Sequence, residues 1–120
     1  MQKQTNNDYK EKENLIRGVY DIVKTIPHGR ACSYGAIAKA AGYPNMSRMI
    51  GKIMGQCPAD CNIPTHRVVN SQGILSGKEA FGNSDEMKLL LEAEGIKIHN
   101  NRICNWKAIF WNPIEEISFE

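Results

Sequence analysis

The sequence predicts a mostly helical fold carrying small β hairpins, and three features of the chain predict it. Apolar residues recur at three- and four-residue steps from Leu15 to Ile26, which places them on one face of a helix. Two further short helical stretches, one after Ser33 and one from Ser47, are divided by Gly42 and a Pro44-Asn45 turn. Beyond Ile63 the β-branched runs are only a few residues long and are bounded by turn residues, as hairpin strands are. With 120 residues, 42% of them apolar and 23% charged, the chain is sized for one domain with a modest core.

Residues 1–12 are polar and read as a flexible tail, and residues 13–115 read as the folded domain. The first helix is expected from about Glu11 to Ile26, with Leu15, Ile16, Val19, Tyr20, Ile22, Val23 and Ile26 inward and Pro27 and Gly29 ending it. Ser33 is a good N-cap for a second helix over Tyr34 to Ala41, because its side-chain oxygen can accept from the unpaired N–H groups of the first turn. Ile37, Ala38 and Ala41 form its small buried face. Ser47 opens a third helix to about Gly55, with Met49, Ile50, Ile53 and Met54 inward. Arg48 and Lys52 lie four apart and share an outward face. Two short helices with a tight turn make a helix-turn-helix, whose second member would be the recognition helix.

Gln56 to Asn62 reads as a loop. Pro64 then fixes its own φ and removes a donor, so the backbone is set just before Thr65. Thr65 and His66 are therefore candidate site residues; the alternative is a strand entered through an ordinary proline turn. His66 to Asn70 is expected as a strand, Ser71-Gln72-Gly73 as a turn and Ile74-Leu75 as the return strand. A hairpin beside a helix-turn-helix is winged-helix-like. Gly77 to Asn83 reads as a polar loop with Lys78 exposed. Ser84 caps a fourth helix, Asp85 to Glu94, with Met87, Leu90 and Leu91 inward, acidic residues in its first turn to suit the dipole, and Gly95 at its end. Ile96-Lys97-Ile98, the Asn100-Asn101 turn and Arg102-Ile103 form a small hairpin. Trp106, Ile109, Phe110 and Trp111 pack back on the domain.

The formal net charge of +2 permits nucleic-acid binding only through local clusters of Lys and Arg. No apolar run approaches a membrane span and nothing resembles a secretory signal. A cytoplasmic protein with no membrane partner is expected, nucleoid-associated if bacterial, with Cys32, Cys57, Cys61 and Cys104 as reduced thiols. Cys57-x3-Cys61 with His66 nearby fits no common zinc module, so neither a metal nor a cofactor is expected.

Four motifs in order carry a resemblance: Ile26-Pro27-His28-Gly29-Arg30, Ser33-Tyr34-Gly35-Ala36-Ile37-Ala38, Ser47-Arg48-Met49-Ile50-Gly51 and the run from Ile63 through Thr65-His66-Arg67 to Gly73. Together, over about residues 15 to 95, they resemble the DNA-binding domain of the O6-alkylguanine-DNA alkyltransferases. The active enzymes of that family carry a cysteine between the proline and the histidine, and here Thr65 stands there. The ending from Glu92 to Pro113 and the loop around Lys78 are closer to the alkyltransferase-like proteins, which lack the cysteine and commonly have tryptophan instead. Threonine departs from that pattern too.

The resemblance implies a protein that binds double-stranded DNA, flips O6-alkylguanine out of the stack and holds it without dealkylation, flagging it for nucleotide excision repair proteins. Arg48 would fill the vacated place in the stack and Tyr34 would crowd the target phosphate, with Ser33 and Lys52 also at the DNA. Thr65, Met54, Val68 and Lys78 would line or sense the lesion pocket. His66 and Glu94 would be the remnants of a relay that moves the thiol proton in the enzymes, here with nothing to activate. Thr65 is smaller than tryptophan, so a pocket tolerant of bulky alkyl groups is expected. A monomer is expected. Two other functions stay open on the sequence: an active methylated-DNA-protein-cysteine methyltransferase using another thiol, and a plain winged-helix DNA-binding protein.

Overall fold

The computed structural model describes residues 2–57, 62–76 and 85–116, with side chains from residue 11 onward. The fold is mostly helical with small strands. Helix α1 spans Gln2–Lys24. It begins well before Glu11, because no proline or glycine precedes Gly18 to stop a helix propagating through the residues read as a tail. It also closes two residues early. The Thr25 and Ile26 N–H groups donate back three residues, to the Ile22 and Val23 carbonyls at 3.0 and 3.1 Å, which tightens the last turn before Pro27.

Strand β1, Cys32–Ser33, leads into α2, Tyr34–Ala40. Ser33 caps α2 as expected: its hydroxyl accepts from the Ala36 N–H at 3.1 Å. Helix α3, Ser47–Gly55, has the expected bounds and buries Ile50, Ile53 and Met54, with Met49 half-buried against the same core. These two helices and the turn between them form the expected pair.

The next segment differs from expectation. Thr65–Arg67 is a 3-10 turn, and only Val68–Val69 is strand, β2. It does not pair with Ile74-Leu75. It pairs in parallel with β1, Cys32 opposite Val68 and Ser33 opposite Val69, while Ile74 bridges Arg102. The cause is burial on both faces. Successive strand residues point to opposite sides. Val68 enters a core with Val19, Val23, Ile37 and Ile50, and Val69 enters a second core with Leu75, Met87, Leu91 and Ile103. A surface hairpin would leave one of these faces in water, which for a valine forfeits about 1.5–3 kcal/mol. The β1–β2 pair is thus the wall between the two cores.

Helix α4, Glu86–Ala93, contributes Met87 and Leu91 to the second core. Leu90, expected inward, is 38% exposed, and Leu89 is 61% exposed. The eight-residue helix meets the core along a stripe one residue wide at each turn, so Leu90 falls outside it. The expected cap Ser84 and the loop carrying Lys78 lie outside the described residues. The hairpin β3, Ile98–His99, with β4, Arg102–Ile103, forms as expected, with Asn100 and Asn101 both at positive φ in a tight turn. Two short helices close the described chain, α5, Trp106–Ile109, and α6, Pro113–Glu116. Between them the Trp111 N–H donates to the Ala31 carbonyl at 2.8 Å, and Trp111 is buried in the first core. No helix among the described residues is long and apolar enough to cross a membrane.

Candidate functional site

The site is built on the proline turn. Pro64 has φ −81° and ψ 68°, and the Thr65 N–H donates across it to the Ile63 carbonyl at 2.9 Å, which makes an inverse γ-turn. The Arg67 N–H then donates to the Pro64 carbonyl at 3.0 Å. The chain therefore turns twice within four residues. Thr65, His66 and Arg67 project from a tight turn rather than alternating along a strand.

That turn brings His66 and Arg67 to one carboxylate. His66 Nε2 lies 2.5 Å from Glu94 Oε2, and Arg67 Nε donates to both Glu94 oxygens at 3.0 Å. The Gly29 N–H donates to Glu94 Oε1 at 2.8 Å. Arg67 also donates to the Ile26 carbonyl at 2.8 Å. Glu94 is thus a hub that joins the end of α1, the 3-10 turn and the end of α4. Gly29 sits at φ +81°, a conformation that costs L side chains about 1–2 kcal/mol, and this aims its N–H at the carboxylate. Only 7% of the Glu94 side chain is exposed. Burial alone would raise its pKa, but the bonds from His66, Gly29 and Arg67 outweigh that and hold the carboxyl below its ordinary value. An ionised carboxylate accepts only, so His66 Nε2 is the donor in their bond. The sequence reading paired His66 with Glu94. It missed Arg67 and Gly29 as further partners; their place beside His66 and in the Pro27-His28-Gly29 turn was the available signal.

The other expected residues divide. Arg48 and Lys52 are exposed on α3, opposite its buried face, and among the described residues neither stands in an ion pair. Tyr34, the first residue of α2, is half-buried beside α3: a Cβ built on Gly51 would lie 3.8 Å from its ring. Burial raises the Tyr34 phenol pKa, and a hydrogen bond from the Ser76 side chain offsets part of that rise. Ser33, expected at the DNA, is 5% exposed and its hydroxyl is spent on the α2 cap. Met54 and Val68, expected to line a pocket, are 7% and 1% exposed and belong to the first core together with Ile63. Lys78 lies outside the described residues.

The thiols are differently placed from expectation. Cys32 is fully buried, and burial pushes its pKa up to about 12, against a weak bond to the Ser33 carbonyl that lowers it. Cys57 is disulfide-bonded rather than reduced, with its partner outside the described residues. Cys104 is free and half-buried. Among the described residues no group of three or more His, Cys, Asp or Glu is placed to hold a metal.

The family profile described as the DNA-binding domain of 6-O-methylguanine DNA methyltransferase matches residues 14–96. A DNA base-flipping protein of Vibrio parahaemolyticus is 38% identical over 101 residues, spanning 84% of this chain and 99% of that one. Alkyltransferase-like protein 1 of Schizosaccharomyces pombe is 33% identical over 99 residues, 79% of this chain and 92% of that one. The crystal structure of S. pombe Atl1 in complex with damaged DNA containing O6-carboxymethylguanine superposes with a TM-score of 0.76 at 31% identity, covering 82% of this chain and 95% of that one.

Proposed function

The chain belongs to the family of the 6-O-methylguanine DNA methyltransferase DNA-binding domain, and from that premise we propose that it binds duplex DNA, flips O6-alkylguanine out of the stack and holds it without removing the alkyl group. Thr65 carries this reading. Taking an alkyl group from guanine O6 is a displacement at carbon, which needs a strong, soft nucleophile such as a thiolate. Thr65 offers only a hydroxyl at the place where the resembling enzymes carry sulfur. The described free thiols support the same view: Cys32 is buried with a raised pKa, and Cys104 lies in the turn after β4, away from the proline turn in sequence. Glu94, held ionised by Arg67 and Gly29 as well as by His66, serves to fix the turn and the imidazole rather than to store a proton.

Binding follows from α3. Guanine O6 faces the major groove inside an intact stack, so a protein that encloses it must evert the nucleotide, at a cost of a few kcal/mol. Arg48, exposed and without a carboxylate partner among the described residues, enters the stack and fills the vacated place. Lys52, one turn along the same face, neutralises phosphate. Tyr34 crowds the target phosphate and drives the nucleotide outward. Relatives named for base flipping and solved with damaged DNA support this assignment. A lesion that is gripped but not repaired must be removed by another activity, and the bound complex flags it for nucleotide excision repair. Excision of O6-alkylguanine that proceeds equally well with and without this protein would count against that last step.

Fluorescence anisotropy with matched duplexes at fixed salt tests the central reading. Tighter binding to the O6-methylguanine duplex than to the intact duplex is expected, with the preference lost in Arg48→Ala. Equal affinities for the two duplexes in the wild-type chain would leave a plain DNA-binding protein instead.

A further inference from the structure

Tyr34 is held from three directions. Ser33 caps the helix that begins with Tyr34, the ring lies against Gly51 on α3, and the phenol takes a hydrogen bond from the side chain of Ser76. Ser76 is exposed, yet its backbone is fixed. Its N–H donates to the Ile74 carbonyl at 2.9 Å, and the preceding Leu75, fully buried, donates to the Asn101 carbonyl at 3.0 Å. Asn101 is itself locked at positive φ in the β3–β4 turn. The chain around Ser76 is thus anchored to the second core, whereas α2 and α3 belong to the first.

We infer that Ser76 is a positioning residue for nucleotide eversion: its hydroxyl donates to the Tyr34 phenol oxygen and holds that ring against Gly51, three residues beyond Arg48 on the same helix. The bond crosses between the two cores and fixes where the phenol stands relative to the Arg48 helix before DNA arrives. A half-buried tyrosine with an unbonded hydroxyl would sample other orientations, and each would have to be given up on binding. Preorganisation removes that cost. This inference rests on the proposed function, in which Tyr34 and Arg48 act together on one nucleotide.

The test uses a duplex with O6-methylguanine beside 2-aminopurine, whose fluorescence rises when its neighbour leaves the stack, read at saturating protein so that affinity does not enter. Loss of one hydrogen bond corresponds to about a two- to tenfold fall in the equilibrium between everted and stacked nucleotide. Ser76→Ala is expected to show that fall, Ser76→Thr to restore it, and Ser76→Ala to add nothing in a Tyr34→Phe background. Wild-type eversion with an undiminished Ser76→Ala, or an additive effect in the double variant, overturns the inference while leaving the proposed function standing. Absence of any wild-type signal on a saturated lesion duplex overturns the proposed function itself, and the inference with it.

Discussion

Replacing Glu94 by glutamine keeps the size of the side chain and removes its charge. The carboxylate accepts from His66, from the Gly29 N–H and from Arg67 through both oxygens, with 7% of its side chain exposed. Glutamine has one acceptor oxygen and would turn an NH2 group toward donors, so His66 or Arg67 is left without a partner. Hydrogen bonds to charged groups are worth about 1.5–3 kcal/mol each, and stranding one member of a buried pair costs about 3–5 kcal/mol. Arg67 keeps its bond to the Ile26 carbonyl and is 16% exposed, which places the loss at the lower end. We expect about 3 kcal/mol. With a urea slope of about 1.5 kcal/mol per M, the unfolding midpoint falls by about 2 M at neutral pH. The pH dependence has a definite sign. Burial raises the Glu94 pKa, but its partners hold it below the ordinary 4.5. A carboxyl depressed in the folded state stabilises fully above its unfolded value and loses that contribution as pH falls through the folded value. The advantage of wild type over Glu94→Gln is therefore complete at neutral pH and shrinks below 4.5. Urea titrations at pH 7 and pH 3 check this. A midpoint difference equal at both, or absent at pH 7, refutes the hub.

Ser33→Ala removes the α2 cap and is expected to cost about 1 kcal/mol in urea unfolding, while the folded variant binds intact duplex as wild type does; a severalfold loss of that affinity would mean that the hydroxyl reaches DNA. Thr65→Trp is expected to narrow the range of lesions bound, weakening a bulky O6 adduct relative to O6-methylguanine in a competition assay. Unchanged relative affinities would mean that position 65 does not bound the pocket.

The helices were legible because their signals are local. Ser33 and Ser47 mark starts, glycines mark ends, and the three-and-four spacing gives the buried faces of α2 and α3. The β3–β4 hairpin was equally plain from two adjacent asparagines, which tolerate positive φ. The parallel pairing of Val68-Val69 with Cys32-Ser33 was not, since a strand of two residues has no period and its partner is 36 positions away. Placing the hairpin wrongly followed from reading Val68 and Val69 as neighbours of the next turn. The His66–Glu94 pair was reached through the family resemblance, but the rest of the hub was not. Nothing near Gly29 or Arg67 in sequence names Glu94, and only the double turn around Pro64 swings both side chains to the end of α4. Ser33 shows the opposite error: a motif position was assigned to DNA although the local role it was also given, capping, uses its hydroxyl.

The most direct measurement is the intact mass of the protein, with the fate of the lesion, after prolonged incubation with an O6-methylguanine duplex. An unchanged protein mass and full recovery of O6-methylguanine are expected. One methyl group gained per chain, with guanine restored in the duplex, would contradict the claim that a threonine at position 65 leaves this protein able to grip the lesion and unable to remove it.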